Sequence, residues 1–474
     1  MRRNICIICL LLSLTAMAQN MVRVRDCRPR LQELMAKGHS IRRAPSASSA
    51  ANPYIGDRRQ LVVLVSFANQ SFSTSDPVEV WDKIFNQENY NEGNYRGSVS
   101  DYFSDQSYGQ FRLTFDLQRV SLTEQKVKYH STDDDENSKY LVSDIMDVLK
   151  QRDIDWSLYD WSGDGYVDQL LIVYAGMGMN DGGDDDTIWP HQWWMSMHED
   201  SAPIAVSSGG RDYLVDSYCC VQEVGVSRAV FGTICHEYSH CFGLPDFYNG
   251  SNSYVHKWDL MDYGNYNGDG YCPVGYSGHE RMLLGWQTPV EIVGDVQVTG
   301  MKSTAEGGEI YILRNDGHPD EYYLIENRQL TGWDSDLPGS GLLVFHVDYD
   351  EQVWLNSYVN SSFRKRYTIF PASNQTNIYY SDTWAYPYEG NNLLTNTSTP
   401  AATLLNDNVD GTKLMSKPID NMQVAGGLAS FHAIGTSTDI NNPTMLVGEE
   451  RLLYSFGRID IVRDASGRVY KKVR

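Results

Sequence analysis

Residues Thr233 to Phe247 constrain this chain more than any other stretch. They read Thr-Ile-Cys-His-Glu-Tyr-Ser-His-Cys-Phe-Gly-Leu-Pro-Asp-Phe. His236 and His240 stand four residues apart, so on a helix both imidazoles leave one face and can grip one cation. Glu237 sits one position along, able to reach water on that cation without taking a ligand position. Gly243 permits the left-handed backbone that ends the helix, and Pro245 stops it from resuming. The turn can bring Asp246 back as a third ligand. Two histidines and a carboxylate, with a fourth position left to solvent, make a catalytic rather than a structural zinc set. A surface helix with two unrelated histidines would need none of the residues that extend the pattern to Gly243 and Asp246.

Composition narrows the setting. Of the 474 residues, 41% are hydrophobic and 21% charged, enough for more than one buried core and against wholesale disorder. Lys and Arg number 39 against 61 Asp and Glu, a net charge of -22 that repels phosphate backbones and excludes nucleic acid as the expected partner. Arg2 and Arg3 precede the apolar run Ile5 to Leu14 and then Ala16-Met17-Ala18, so residues 1–18 read as a secretory signal. The apolar run is too short for a bilayer of about 30 Å, and no other stretch is long enough, so no transmembrane segment is expected. The product is expected to be secreted, outside the cell or at its surface.

Residues 19–55 differ from the rest. Arg23, Arg25, Arg28, Arg30, Lys37, Arg42 and Arg43 face only Asp26 and Glu33, and Ala44 to Ala51 has a linker's composition. This segment is either a disordered leader or a basic pro-segment lying on an acidic catalytic domain and cut near Arg42-Arg43. The body opens on Leu61-Val62-Val63-Leu64-Val65-Ser66-Phe67, a strand apolar enough to be buried on both faces. Leu170 to Tyr174 reads as a second strand, and Ser143 to Leu149 has helical spacing. Beyond about residue 290 the pattern becomes short runs between Gly, Asn and Pro: Glu309 to Leu313, Tyr322 to Ile325, Leu342 to Val347. The expected class is α+β: a catalytic domain over 56–290 with a mixed sheet and an active-site helix. A β-rich, sandwich-like domain over 291–435 follows, then a tail over 436–474.

With the second turn Trp258-Asp259-Leu260-Met261-Asp262-Tyr263-Gly264, the extended motif resembles the metzincin zinc peptidases, with Asp246 where their third ligand is usually His. More of the chain resembles the immune inhibitor A family of secreted bacterial metallopeptidases. The matching stretches include Ser107-Tyr108-Gly109-Gln110-Phe111, Gly163 to Asp168, Ile188-Trp189-Pro190-His191, Leu284-Gly285-Trp286, Ile325-Glu326-Asn327-Arg328 and Gly341 to Asp348. The resemblance implies a metzincin-like fold, protein or peptide substrates, and Zn2+ held by His236, His240 and Asp246. It makes Glu237 the general base and Tyr263 the phenol that steadies an oxyanion or weakly ligates the resting metal. Met261 becomes an apolar floor beneath the metal, since thioethers bind zinc poorly. Of the matched stretches only the zinc motif and the methionine turn are expected to carry chemistry.

Three further features leave alternatives open. Asp160, Ser162, Asp164, Tyr166 and Asp168, with Gly165 at the sixth position, match most of a Ca2+ loop, although Leu171 stands where an EF-hand has Glu; an acidic turn into a strand is the other reading. Cys27, beside Asp26 and among arginines, either occupies the zinc's open position as a latency switch, a role Asp26 could share, or is an ordinary leader thiol or disulfide partner. Once Cys6 and Cys9 leave with the signal, six cysteines remain, and some are expected to pair in an oxidising exterior. Gly457 to Lys472 resembles the sorting domains of type IX secretion substrates, or is a plain terminal hairpin.

The expectation is therefore a secreted zinc endopeptidase made as a precursor. Its rival is a non-catalytic adhesin or carbohydrate-binding protein on a peptidase-derived fold, against which Glu237 argues. A serine hydrolase is disfavoured, because Gly275-Tyr276-Ser277-Gly278 has the wrong spacing for a nucleophile elbow. Cleavage preference and oligomeric state are not encoded in any of these patterns.

Overall fold

The computed structural model describes residues 33–37, 44, 47, 52–131, 137–184 and 186–435, and the backbone of strands at 451–456, 459–463 and 469–473. The architecture is mixed α+β. Strand β1 (Gly56–Ser66) carries the long apolar run, and Leu61 through Val65 are completely buried. Alternation divides them: Val62 and Leu64 enter one core, Leu61, Val63 and Val65 another on the opposite face. Next in sequence come β2 (Phe111–Ser121), β3 (Tyr166–Val167), β4 (Leu170–Met177) and β5 (His191–Trp194). Strands β6 (Ile204–Ser208), β7 (Arg211–Val215) and β8 (Ser217–Val224) follow. The main sheet runs β2-β1-β4-β8-β5, parallel except for β5, and β3, β7 and β6 form a smaller sheet.

Helices cover both faces, as parallel strands require. On one side helix Ser138–Leu149 buries Leu141, Val142, Ile145, Met146 and Leu149. On the other lie helices Pro77–Asn86, Val99–Gln106 and Phe231–Ser239, the last bearing the histidine motif. Helix Val99–Gln106 starts in a capping box, with Ser98 and Asp101 each accepting the other's backbone N–H.

Beyond residue 290, β9 (Val290–Glu291), β10 (Asp295–Met301), β11 (Tyr311–Arg314), β12 (Glu321–Arg328), β13 (Gly341–Asp348), β14 (Tyr367–Ile369), β15 (Ile419–Ala425) and β16 (Leu428–Ile434) make two sheets. Their orders are β14-β13-β12-β11-β9 and β10-β16-β15. Leu313, Ile325 and Val344 meet Ile419 and Phe431 in a third core. The alternate residues Ile312, Leu324 and Phe345 join the core beneath the active-site helix. One hydrophobic core is thus shared between the described residues before position 290 and the β-rich region. At 451–473 the backbone forms a three-stranded antiparallel sheet.

The described leader residues lie on the body. Leu34 is fully buried in the core beside helix Ser138–Leu149, and Lys37 Nζ donates to Glu199 at 2.6 Å. Further on, a Cβ on Gly243 would come within 3.2 Å of the Ala44 methyl. Cys27 and Asp26 lie outside the described residues. The expectation of disulfides needs correction: Cys219, Cys220, Cys235, Cys241 and Cys272 are all buried and hold thiols. The reason is geometric. Adjacent strand residues Cys219 and Cys220 point into opposite cores, which keeps that pair apart, while Cys219, Cys235, Cys241 and Cys272 act as small apolar side chains of one core. Among the described residues no helix is long and apolar enough to cross a membrane.

Candidate metal centre

The active-site helix ends as its sequence dictates. After Ser239 the last turn tightens to a 3-10 helix, His240–Phe242, and Gly243 takes φ +82°. That turn returns Asp246 to the helix face. Asp246 Oδ1 lies 3.1 Å from His236 Nε2 and 3.5 Å from His240 Nε2, and the two imidazoles stand nearly perpendicular with ring centres 5.0 Å apart. Among the described residues, these three form the one group of acids, thiols and imidazoles whose ligand atoms meet within 4.8 Å.

Backbone carbonyls set both tautomers. His236 Nδ1 donates to Leu260 O at 2.8 Å, and His240 Nδ1 donates to Leu244 O at 2.7 Å. Each Nε2 is thereby the nitrogen turned toward Asp246; in the neutral imidazole it carries the electron pair a metal-ligating histidine needs, whereas protonated His236 donates from it to Asp246 Oδ1. The donor set, two imidazole nitrogens and one carboxylate oxygen, fits zinc with room for a further ligand. Burial works against charge on His236. The hydrogen bond to Asp246, the Glu237 carboxylate and the Leu260 carbonyl outweigh it and push its pKa up to about 9. Burial pushes His240 down, against the pull of Asp246 and with the help of His236.

The methionine turn braces this cluster from below. Met261 is fully buried, its carbonyl accepts from Phe247 N–H at 2.8 Å, and its own N–H donates to Asp259 Oδ1 at 2.9 Å. Asp262 Oδ2 collects the N–H groups of Tyr254, Val255 and His256. Burial raises the Asp262 pKa to about 6 despite those donors. Gly232 is required because a Cβ there would fall 1.8 Å from the Asn265 carbonyl, so only glycine lets the helix lie against this segment.

Residues 59–286 match the family model described as immune inhibitor A peptidase M6, catalytic domain. This segment is an immune inhibitor A-type peptidase domain. Immune inhibitor A of Bacillus thuringiensis subsp. alesti is 26% identical over 317 residues, covering 54% of this chain and 45% of that protein. Pre-pro-metalloprotease PrtV of Vibrio cholerae serotype O1 is 25% identical over 243 residues, 44% of this chain and 26% of that protein. The matches thus span less than half of each relative's own length.

Within this domain Glu237 and Tyr263 line one cleft together with His236, Tyr248, Asn180 and the Trp189-Pro190 pair. Burial pushes the Tyr263 phenol up, so it is a hydrogen-bond donor at neutral pH. Trp189 and Pro190, from a stretch expected to mark kinship, also form part of the cleft wall. Tyr248, whose ring stacks at 6.2 Å on His236, and Asn180 had no signal in the sequence apart from closeness to the motif in one case.

The second constellation closes differently. Asp160 Oδ1 accepts from Asp164 N–H and Oδ2 from Gly165 N–H, both at 3.0 Å. Asp164 Oδ1 accepts from Tyr166 N–H, and Asp168 Oδ2 from Trp161 N–H at 2.5 Å. Ser162 lies within the same loop, and Arg211 Nη2 stands 3.7 Å from Asp160. Its acids do not form a three-membered group as tight as the histidine cluster.

Proposed function

We propose that this chain is a secreted, metzincin-like zinc endopeptidase that cleaves extracellular proteins. One observation carries the reading: His236, His240 and Asp246 converge, and His236 shares a cleft with Glu237 and Tyr263. Zinc chemistry at such a site supplies a Lewis acid for a carbonyl and a water nucleophile effective near neutral pH. His236, His240 and Asp246 would hold the ion, each imidazole kept in its ligating tautomer by a backbone carbonyl. Glu237 takes a proton from the attacking water and passes it to the leaving amine. The Tyr263 hydroxyl donates to the oxygen on which negative charge grows. Met261 is the apolar floor.

In this reading residues 1–18 are the signal, 19–55 the pro-segment, 56–290 the catalytic domain, 291–435 a β-rich unit and 436–474 a sorting tail. Burial of Leu34 in the body supports a pro-segment over a disordered leader. We also infer a Ca2+ loop at 160–168 from its ligand spacing and its closure about Asp160, which calcium titration calorimetry tests.

Hydrolysis of casein by the wild type and by Glu237→Ala, with and without a zinc chelator, tests the function. Loss of cleavage in the variant and with chelator is the expected result. Equal, chelator-insensitive behaviour of the two proteins would instead favour the non-catalytic binding protein.

A further inference from the structure

We propose that the cleft continues into a recess, floored by Arg228, that selects a carboxylate on the substrate; the inference rests on the peptidase reading above. Asn180, Thr233 and Tyr266 line both the cleft and a narrow recess beside it, so the two share a wall. Arg228 enters the recess from the segment just before the active-site helix. Its guanidinium lies 4.5 Å from the centre of the Tyr266 ring. Its Nη1 is buried without a hydrogen-bond partner, and no ion pair joins it to a described carboxylate.

Asp181 also lines the recess, but other groups hold its oxygens. They accept from Ser227 N–H, Ser227 O–H and Arg228 N–H. Two carboxamides complete the polar wall. Asn180 is 7% exposed and Gln222 2%, and the oxygen of each is buried without a partner. A half-turn of either amide presents its NH2 edge instead, since the two edges are nearly equivalent in shape.

Arg228 favours an anion, which the two amides accommodate once their NH2 edges turn inward. An unpaired, desolvated guanidinium N–H is costly to leave unmade, and a carboxylate satisfies it with a charge-assisted hydrogen bond. A substrate lysine would meet the like charge of Arg228, and an aliphatic side chain would leave Nη1 and both amides unsatisfied. The ligand chemistry is a carboxylate, which a peptide presents either as an Asp or Glu side chain or as its free C-terminus. Arg228 acts here as a specificity residue and takes no part in proton transfer.

Matched peptides test this with the full chain in its metal-loaded form. One set places Glu, Gln or Lys at each of the positions flanking the scissile bond. A second set compares the free C-terminal acid with the C-terminal amide. Each set is run on wild type, Arg228→Gln and Arg228→Lys, with kcat/KM as the readout. The wild type should prefer the carboxylate in one arm by about 10-fold or more, and the arm that responds names the source. That ratio should collapse toward one in Arg228→Gln and be partly retained in Arg228→Lys. A wild-type ratio near one in every arm, or a ratio unchanged in Arg228→Gln, would overturn the recess assignment and leave the peptidase reading intact. Failure of the wild type to cleave any peptide or casein would sink both. Because the wild-type ratio is decisive alone, a variant that does not fold leaves the proposal still open to refutation.

Discussion

Two clusters of ligand-type side chains lie in one domain, and they close in opposite ways. At the end of the active-site helix, the histidines turn their Nδ1 atoms to backbone carbonyls and leave Nε2 atoms facing Asp246. In the loop 160–168 the carboxylates face inward, and backbone N–H groups of the loop itself take up much of their capacity. The first is held open by distant structure; the second holds itself. A metal is therefore expected to decide the activity of the first and, at most, the stability of the second.

Removing ligands should show the largest difference. His236→Ala or His240→Ala is expected to lower zinc content from about one per chain to near none, as measured by plasma mass spectrometry after dialysis. Zinc retained at full stoichiometry in both variants would show that the converging cluster is not the site. Next in size is Tyr263→Phe, expected to lower kcat on casein by about 10- to 100-fold while zinc content stays constant. An unchanged kcat would reduce Tyr263 to a wall residue.

The loop should respond more mildly. Asp160→Ala removes acceptors for two N–H groups and is expected to cost about 1–2 kcal/mol in chemical denaturation. If calcium occupies the loop, the gap between wild type and variant widens when calcium is added; a gap indifferent to calcium would restrict the loop to a self-closing turn.

Glu321 offers a third, purely inward acid. Burial alone would raise its pKa. His346 at 2.7 Å, with the N–H groups of Leu405 and Asn406, instead holds it near 2. A folded pKa below the unfolded value of about 4.5 means stability present above pH 4.5 and lost as pH falls toward 2. Wild-type stability should therefore decline over that window, and Glu321→Gln should flatten the decline. A variant with the same acid slope would remove Glu321 from the account.

Much of this was legible one residue at a time. The run Leu61 to Val65 announces a strand buried on both faces, and the four-residue spacing of His236 and His240 announces one helix face. The turn at Gly243 follows from the same local reasoning. An expected secretion signal speaks to redox chemistry and says nothing of which faces of β8 carry Cys219 and Cys220, so pairing is not legible from it. Arg228, Asn180 and Gln222 had no pattern to give them away, since they meet only when β4, β8 and the active-site helix are assembled.

The brace under the metal centre was equally hidden. Asn360 Nδ2 donates to the carbonyls of Phe247 and Tyr367, and Tyr367 O–H donates to Asp259 Oδ2 at 2.9 Å. Phe247 and Tyr367 stack with ring centres 4.0 Å apart. The β-rich region therefore holds both the turn that carries Asp246 and the turn that carries Met261.

By itself the sequence determined the ligand types, their helical spacing and the glycine turn that returns the third ligand, because those depend on backbone geometry over fifteen residues. Only the tertiary structure decided which carbonyls orient the imidazoles, which aromatic rings wall the cleft and where an unpaired arginine lies beside it. Some of these contacts are close in sequence, as His240 and Leu244 are, but the brace beneath them joins Asn360 to Phe247 across 113 positions. Their energy arises from packing and desolvation in the assembled core, which no local pattern records.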